Sequence, residues 1–327
     1  MHMMDLVDKM LGGDSYALSR LITLVEKDII HIHLLMDRIH SHMGHAYFVG
    51  ITGPPGAGKS TLTSRLTETM RGEGATVGII ACDPSSPFSG GAILGDRIRM
   101  NSHFLDDDVF IRSMATRGSL GGLSKKVHAV ASLLDAFGKD FVLLETVGVG
   151  QTELDVRNVA DTNVLVLTPM AGDRIQAMKS GIMETADVFV VNKMDLAEAR
   201  VTAEDIADIL NMRIKPGQWK PPIILTQAIE GIGLPETLNA IEEHRTFLME
   251  SGQGAQNNRR RQRHIFAQVM KEVLLKKVKA CLENDERFVT YLTRVENKEI
   301  SPYAACEAVL TDKKIWQNIV SHLCDNE

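Results

Sequence analysis

One stretch constrains this chain more than any other: Gly53-Pro54-Pro55-Gly56-Ala57-Gly58-Lys59-Ser60. It matches G-x-x-x-x-G-K-[ST] in full, and Thr61 follows it. Glycines at these places let successive backbone N–H groups close around phosphate oxygens. Lys59 brings a cation to the outer phosphates, and the Ser60 hydroxyl can ligate Mg²⁺. Such a loop needs a strand before it and a helix after it, because the helix N-terminus completes the anion site. Both flanks fit, since 47–52 reads as a strand and 61–70 as a helix. The motif predicts an α/β fold that holds a nucleoside triphosphate through residues Gly53 to Thr61.

Further candidate strands lie at 77–81, 109–111, 141–145, 164–168, 188–192 and 223–226. Short apolar runs that alternate with amphipathic stretches predict a mostly parallel sheet flanked by helices. Residues 1–45 read as a helical extension, with Leu18, Leu21, Ile22, Leu24 and Val25 at helical spacing. The P-loop domain is expected over 46–250. After Gly252-Gln253-Gly254 the strand signal stops, and 251–327 reads as helices. The segment 257–278 is basic at its start and then amphipathic.

A second element names the base. Asn192-Lys193-Met194-Asp195 follows a predicted strand and has the form N-K-x-D. Guanine presents a ring N–H beside an exocyclic amine, and one carboxylate, Asp195, can accept from both. Adenine offers an unprotonated ring nitrogen there and would repel it. The nucleotide is therefore expected to be GTP or GDP. Gln227 and Ala228, after the last strand, are expected to support the base from the other side.

Three acids sit where strands end: Asp83, Asp96 and Glu145. An acid at a strand tip facing a P-loop organises Mg²⁺ directly or through water. Turn and cap chemistry is the alternative for Asp83 and Asp96. Gly148 can give a backbone N–H to the γ-phosphate. No glutamine follows Gly148 directly, and Gln151 is three residues further on. Slow hydrolysis that a partner accelerates is the expectation, with Lys179 and Arg157 as further candidate charges.

The formal net charge is −6, which disfavours nucleic acid as a partner. The four cysteines form no CxxC pair, so reduced thiols are expected. No apolar run is long enough to span a bilayer, and 1–10 carries acids without an apolar core, so a cytoplasmic protein is expected. His31, His33, His40, His42 and His45 crowd before the first strand. They leave a nickel- or zinc-delivery GTPase as the alternative, although histidines two apart do not share a helix face.

These residues together resemble the MeaB/ArgK-type GTPases of the SIMIBI class of P-loop proteins. Those are G-protein chaperones of adenosylcobalamin-dependent acyl-CoA mutases of the methylmalonyl-CoA mutase type. The similar stretches are the P-loop, Asp83-Pro-Ser-Ser86, Gly90-Gly91 with Leu94-Gly95-Asp96, Arg117-Gly118 with Leu120-Gly121-Gly122, Glu145 to Gln151, Gly172-Asp173 with Gln176, and Asn192 to Asp195. The resemblance implies that Lys59, Asp83, Asp96 and Glu145 form the catalytic set, with Ser60 and the three acids arranging the metal. It also implies a homodimer through the C-terminal helices, gating of adenosylcobalamin delivery, and protection or rescue of the mutase. The stretch 170–180 would be a mobile coupling loop. Arg174 stands where the family usually carries an acid, and Ala177-Met178 replaces a common Gly-Ile. That departure opens the alternative of a branched or hydroxylated acyl-CoA.

Overall fold

Seven strands form one sheet: β1 (Tyr47–Thr52), β2 (Val77–Asp83), β3 (Val109–Ala115), β4 (Phe141–Glu145), β5 (Thr162–Leu167), β6 (Val188–Asn192) and β7 (Ile223–Thr226). The computed structural model describes residues 3–27, 29, 32–83, 103, 105–115, 122–146, 159–169, 182–215, 217–283 and 285–324. The strand order is β3-β2-β4-β1-β5-β6-β7, and every neighbouring pair is parallel. All strand C-termini therefore share one edge, where open α/β sheets bind ligands. Val164, Leu165, Val166 and Leu167 are all buried, as strands covered on both faces must be. All seven expected strands are present. β2 and β3 outrun their apolar runs because their pairing continues to Asp83 opposite Ala115. β5 starts early, at Thr162, where polar partners replace apolar contacts.

Helices cover both faces. On one side, α1 (Met3–Leu11), α2 (Ser15–Glu26), α3 (Ile32–Ile39) and α5 (Gly122–Ala136) pack with Val142 and Leu144 of β4. On the other, α4 (Lys59–Gly72) and α7 (Leu234–Glu250) pack with Val49, Ile51 and Leu143. α6 (Ala199–Arg213) covers β6 through Ile206 and Leu210. Leu18, Leu21, Ile22 and Val25 are fully buried, so the extension predicted from helical spacing docks by that face. Asp14 caps α2, accepting from the N–H groups of Tyr16 at 2.9 Å and Ala17 at 3.1 Å. The buried Asp135 carboxylate accepts from Gly44, His45 and Ala46 N–H groups at 2.6, 3.0 and 2.9 Å. That fixes the segment that feeds β1. Arg112 on β3 pairs with Glu26 at the end of α2, and Lys126 donates to the Glu26 carbonyl at 2.7 Å.

The chain divides into two compact units, residues 1–261 and 262–327. The helix α8 (Gln253–Glu283) is followed by α9 (Glu286–Glu296), α10 (Pro302–Thr311) and α11 (Lys313–Cys324). A small core of Cys281, Ile315 and Ile319 holds the second unit together. Asp285 caps α9 and accepts from Asn318 of α11 at 3.1 Å. Among the described residues, no helix is long and apolar enough to cross a membrane.

A buried polar cluster lies at the edge where the strands begin. The Tyr47 and Thr162 hydroxyls are 2.5 Å apart, and Thr162 lies 2.8 Å from Nδ1 of His244. The Trp219 ring packs 4.9 Å from the imidazole, and its N–H donates to the Asp187 carbonyl at 2.7 Å. Burial pushes His244 from its ordinary 6.5 down to about 4, against the pull of the Asp161 carboxylate. The unfolded chain therefore binds the extra proton between those values. The stability of the neutral ring is complete above pH 6.5 and is lost as the pH falls toward 4. The expected slope is at most about 1.4 kcal/mol per pH unit. Denaturant unfolding at a series of pH values should show it, and His244→Gln should flatten the profile. An unchanged profile in that variant would place the acid sensitivity elsewhere, with His128, also pushed down to about 4 by burial, as the next candidate.

Candidate nucleotide site

The P-loop joins β1 to α4, and its glycines have no substitutes. Gly53 has φ +145°, and a Cβ there would sit 2.0 Å from the Val166 carbonyl oxygen on β5. Gly56 has φ +78°. Gly58 has φ +91° at the start of α4, and its Cβ would lie 2.3 Å from Nδ2 of Asn192. Side chains rarely adopt these angles, and at Gly53 and Gly58 the neighbours leave no room either, whereas at Gly56 the angle alone favours glycine. α4 begins at Lys59, so its first-turn N–H groups lack helical partners and suit an anion. The Lys59 ammonium donates to the carbonyls of Gly53 at 2.8 Å and Pro54 at 2.9 Å, which holds the charge over the loop.

The Ser60 hydroxyl donates to Oε1 of Glu145 at 2.5 Å. Glu145 is 8% exposed at the end of β4, in register with Ile51 of β1. A hydroxyl and a carboxylate in contact are hard oxygen donors, which fits Mg²⁺. Mg²⁺ usually takes one or two protein oxygens and completes its shell with water and phosphate. When bound, Mg²⁺ would neutralise charge on the β- and γ-phosphates. Burial and the Glu145 charge push the thiol of Cys82, at the end of β2, up to about 12. Asp83 closes β2, opposite Ala115 and two residues past Ala81, which is in register with Glu145 of β4. Asp96, Gly148, Gln151, Arg157, Lys179 and the 170–180 stretch lie outside the described residues, as does His31.

The base element begins where β6 ends. Asn192 is buried, and its Nδ2 donates to the Ala57 carbonyl at 2.9 Å. Its Oδ1 accepts from the Thr226 hydroxyl and the Ala228 N–H, both at 3.1 Å. Asn192 thus ties the P-loop to the loop after β7. Lys193 has φ +61°, a left-handed conformation that costs a side-chain-bearing residue strain. The Met194 N–H donates to the Thr226 carbonyl at 3.0 Å, so the turn is pinned and Asp195 projects exposed beyond it. Gln227 and Ile232 exchange backbone hydrogen bonds at 3.1 and 3.3 Å, and this closes the loop that presents Ala228.

The structure thus brings Gly53 to Ser60, Glu145, Asn192 to Asp195 and Gln227-Ala228 to one edge of the sheet. Sequence reasoning missed Val166, whose carbonyl lies under Gly53. It also missed Thr52 and Thr146, whose hydroxyls meet at 3.1 Å beside the site. A threonine directly after the last apolar residue of β1, and another directly after Glu145 at the end of β4, were the available signal.

A family model described as methylmalonyl Co-A mutase-associated GTPase MeaB matches residues 18–283. A GTPase of Pyrococcus horikoshii is 47% identical over 309 residues, covering 94% of this chain and 96% of its own. GTPase ArgK of Escherichia coli is 35% identical over 306 residues, covering 90% and 92%. The mitochondrial methylmalonic aciduria type A homolog of Mus musculus is 33% identical over 266 residues, covering 80% of this chain and 64% of its own. The crystal structure of LAO/AO transport system kinase superposes with a TM-score of 0.69 at 27% identity, covering 94% and 96%. The P-loop that Asn192 ties to the base loop, and the likeness that extends well beyond both, have one reading. The chain belongs to the MeaB family of methylmalonyl Co-A mutase-associated GTPases, and it hydrolyses GTP to GDP and phosphate.

Proposed function

We propose that this GTPase is a chaperone of an adenosylcobalamin-dependent acyl-CoA mutase. GTP binding and hydrolysis gate delivery of the cofactor to the mutase and protect or reactivate it. The observation that carries the reading is the reach of the family match. It runs from α2 to the end of α8, so it takes in helices that precede and follow the GTPase core along the chain. A likeness limited to nucleotide chemistry would not need them. In this reading 1–45 is an extension, 46–250 the Mg-GTP domain and 251–327 an arm that joins a second copy in the cytoplasm. Phe266, Val269, Met270 and Val273 support the arm, since they are exposed at helical spacing on α8. Lys59, Asp83, Asp96 and Glu145 act in hydrolysis, and Ser60 with the acids arranges Mg²⁺. Asp195 reads the guanine.

The test is GTP turnover by the purified protein with and without candidate cobalamin-dependent acyl-CoA mutases, with ATP as a control. Slow turnover that rises several-fold with one mutase is expected, and it also identifies the acyl-CoA. A rate that no mutase changes would sink the chaperone reading. A rise with nickel or zinc instead would turn attention to the histidines before β1.

A further inference from the structure

The end of β4 is bonded on both faces of the sheet, to α4 on one and to β1 on the other. Side chains alternate along a strand. Val49, Ile51 and Leu143 face the core beside α4, while Phe48, Val142 and Leu144 face the core beside α5. Glu145 therefore points to the α4 side, where it meets Ser60. Thr52 and Thr146 point to the other side. There the Thr146 hydroxyl donates to the Thr52 hydroxyl at 3.1 Å. The Thr146 N–H also donates to the Ile51 carbonyl at 3.0 Å, which extends the strand pairing one bond past Glu145.

Thr52 and Thr146 are 3% and 1% exposed, on the face where Phe48, Val142 and Leu144 join an apolar core. Valine has the same shape and at least equal strand preference, and it would not bring a hydroxyl into that core. Packing alone gives no reason for two hydroxyls here. A directed bond does. It pegs the residue after Glu145 to the residue before Gly53, so the carboxylate and the P-loop cannot shift independently.

We propose that the Thr52–Thr146 hydroxyl pair is a positioning element for Mg²⁺, acting through Glu145. It sets where the carboxylate stands relative to the Ser60 hydroxyl and so how well both meet the metal. The proposal rests on the reading of Ser60 and Glu145 as metal-arranging groups.

The experiment measures affinity for a fluorescent GDP analogue as Mg²⁺ is titrated, with melting temperature recorded beside it. Thr146→Val and the double variant Thr52→Val/Thr146→Val should each need about tenfold more Mg²⁺, the scale of loss when a ligand's supporting partner is removed. Affinity in the absence of metal should stay at the wild-type value. The double variant leaves no orphaned hydroxyl, so its fold should hold. Thr146→Ser keeps the donor and should restore the wild-type Mg²⁺ requirement. A double variant with a wild-type requirement overturns the proposal, as does one whose melting temperature alone falls, and as does failure of the serine to rescue. Glu145→Gln separates the two levels. If it raises the requirement and the threonine variants do not, only the peg fails. If it too has no effect, the reading of Glu145 fails with it.

Discussion

Lys59→Ala should lower the rate of GTP hydrolysis by about 10²- to 10³-fold, the usual cost of removing one group aimed at developing transition-state charge. The side chain is 7% exposed, and its ammonium is fixed by the carbonyls of Gly53 and Pro54. A cation already held over the loop costs no reorganisation when charge shifts toward the β–γ bridging oxygen during transfer. Alanine leaves the glycine backbone in place, so GDP should still bind, though more weakly. Lys59→Arg should not restore the rate, because a planar guanidinium fills a different space from a point-like ammonium. Phosphate release under saturating Mg-GTP reads the effect, with a melting curve to show that the fold persists. A rate within a few fold of the wild type would remove Lys59 from the chemistry.

Asp195→Asn should weaken GTP binding by about 100-fold. The carboxylate is expected to accept two hydrogen bonds from guanine. Bonds to a charged group contribute roughly 1.5 kcal/mol or more each, and each 1.4 kcal/mol is about tenfold in affinity. The amide turns one acceptor into a donor, which then faces the exocyclic amine. Xanthosine triphosphate carries a carbonyl in that place, so the variant should prefer it over GTP. Competition against a fluorescent guanine nucleotide measures both numbers. The backbone around Asp195 should not change, since the Met194 N–H and the left-handed Lys193 set the turn. If GTP affinity holds and xanthosine triphosphate gains nothing, base recognition lies elsewhere.

The fold was legible because its strands are buried on both faces and so read as unbroken apolar runs. The run at 164–167 could be nothing else at that length between turns. The strand ends were harder. β2 and β3 continue through Cys82, Asp83, Arg112 and Ser113, where backbone pairing with a neighbour outweighs weak local preference. The segment 257–278 reads as amphipathic, but α8 runs further at both ends, from Gln253 to Glu283, where good helix formers carry the backbone on beyond the apolar pattern. At the site, the P-loop and N-K-x-D spelled themselves out because their chemistry needs fixed spacing. The contact of Ser60 with Glu145 did not. It depends on β4 lying next to β1, and strand order is a long-range property that local sequence does not encode.

Asn192 has a consequence for how genetic lesions in this protein should be interpreted. Its amide grips Ala57, 135 residues away in the sequence, while its carbonyl oxygen holds Thr226 and Ala228. The same amide fills the space that any side chain at position 58 would need. Phosphate grip and base choice are therefore not separable inheritances. A change at Gly58 reaches the guanine, and a change at Asn192 reaches the phosphates. Among these residues Asp195, exposed beyond the turn, is left to alter which base is chosen without disturbing the grip on the phosphates.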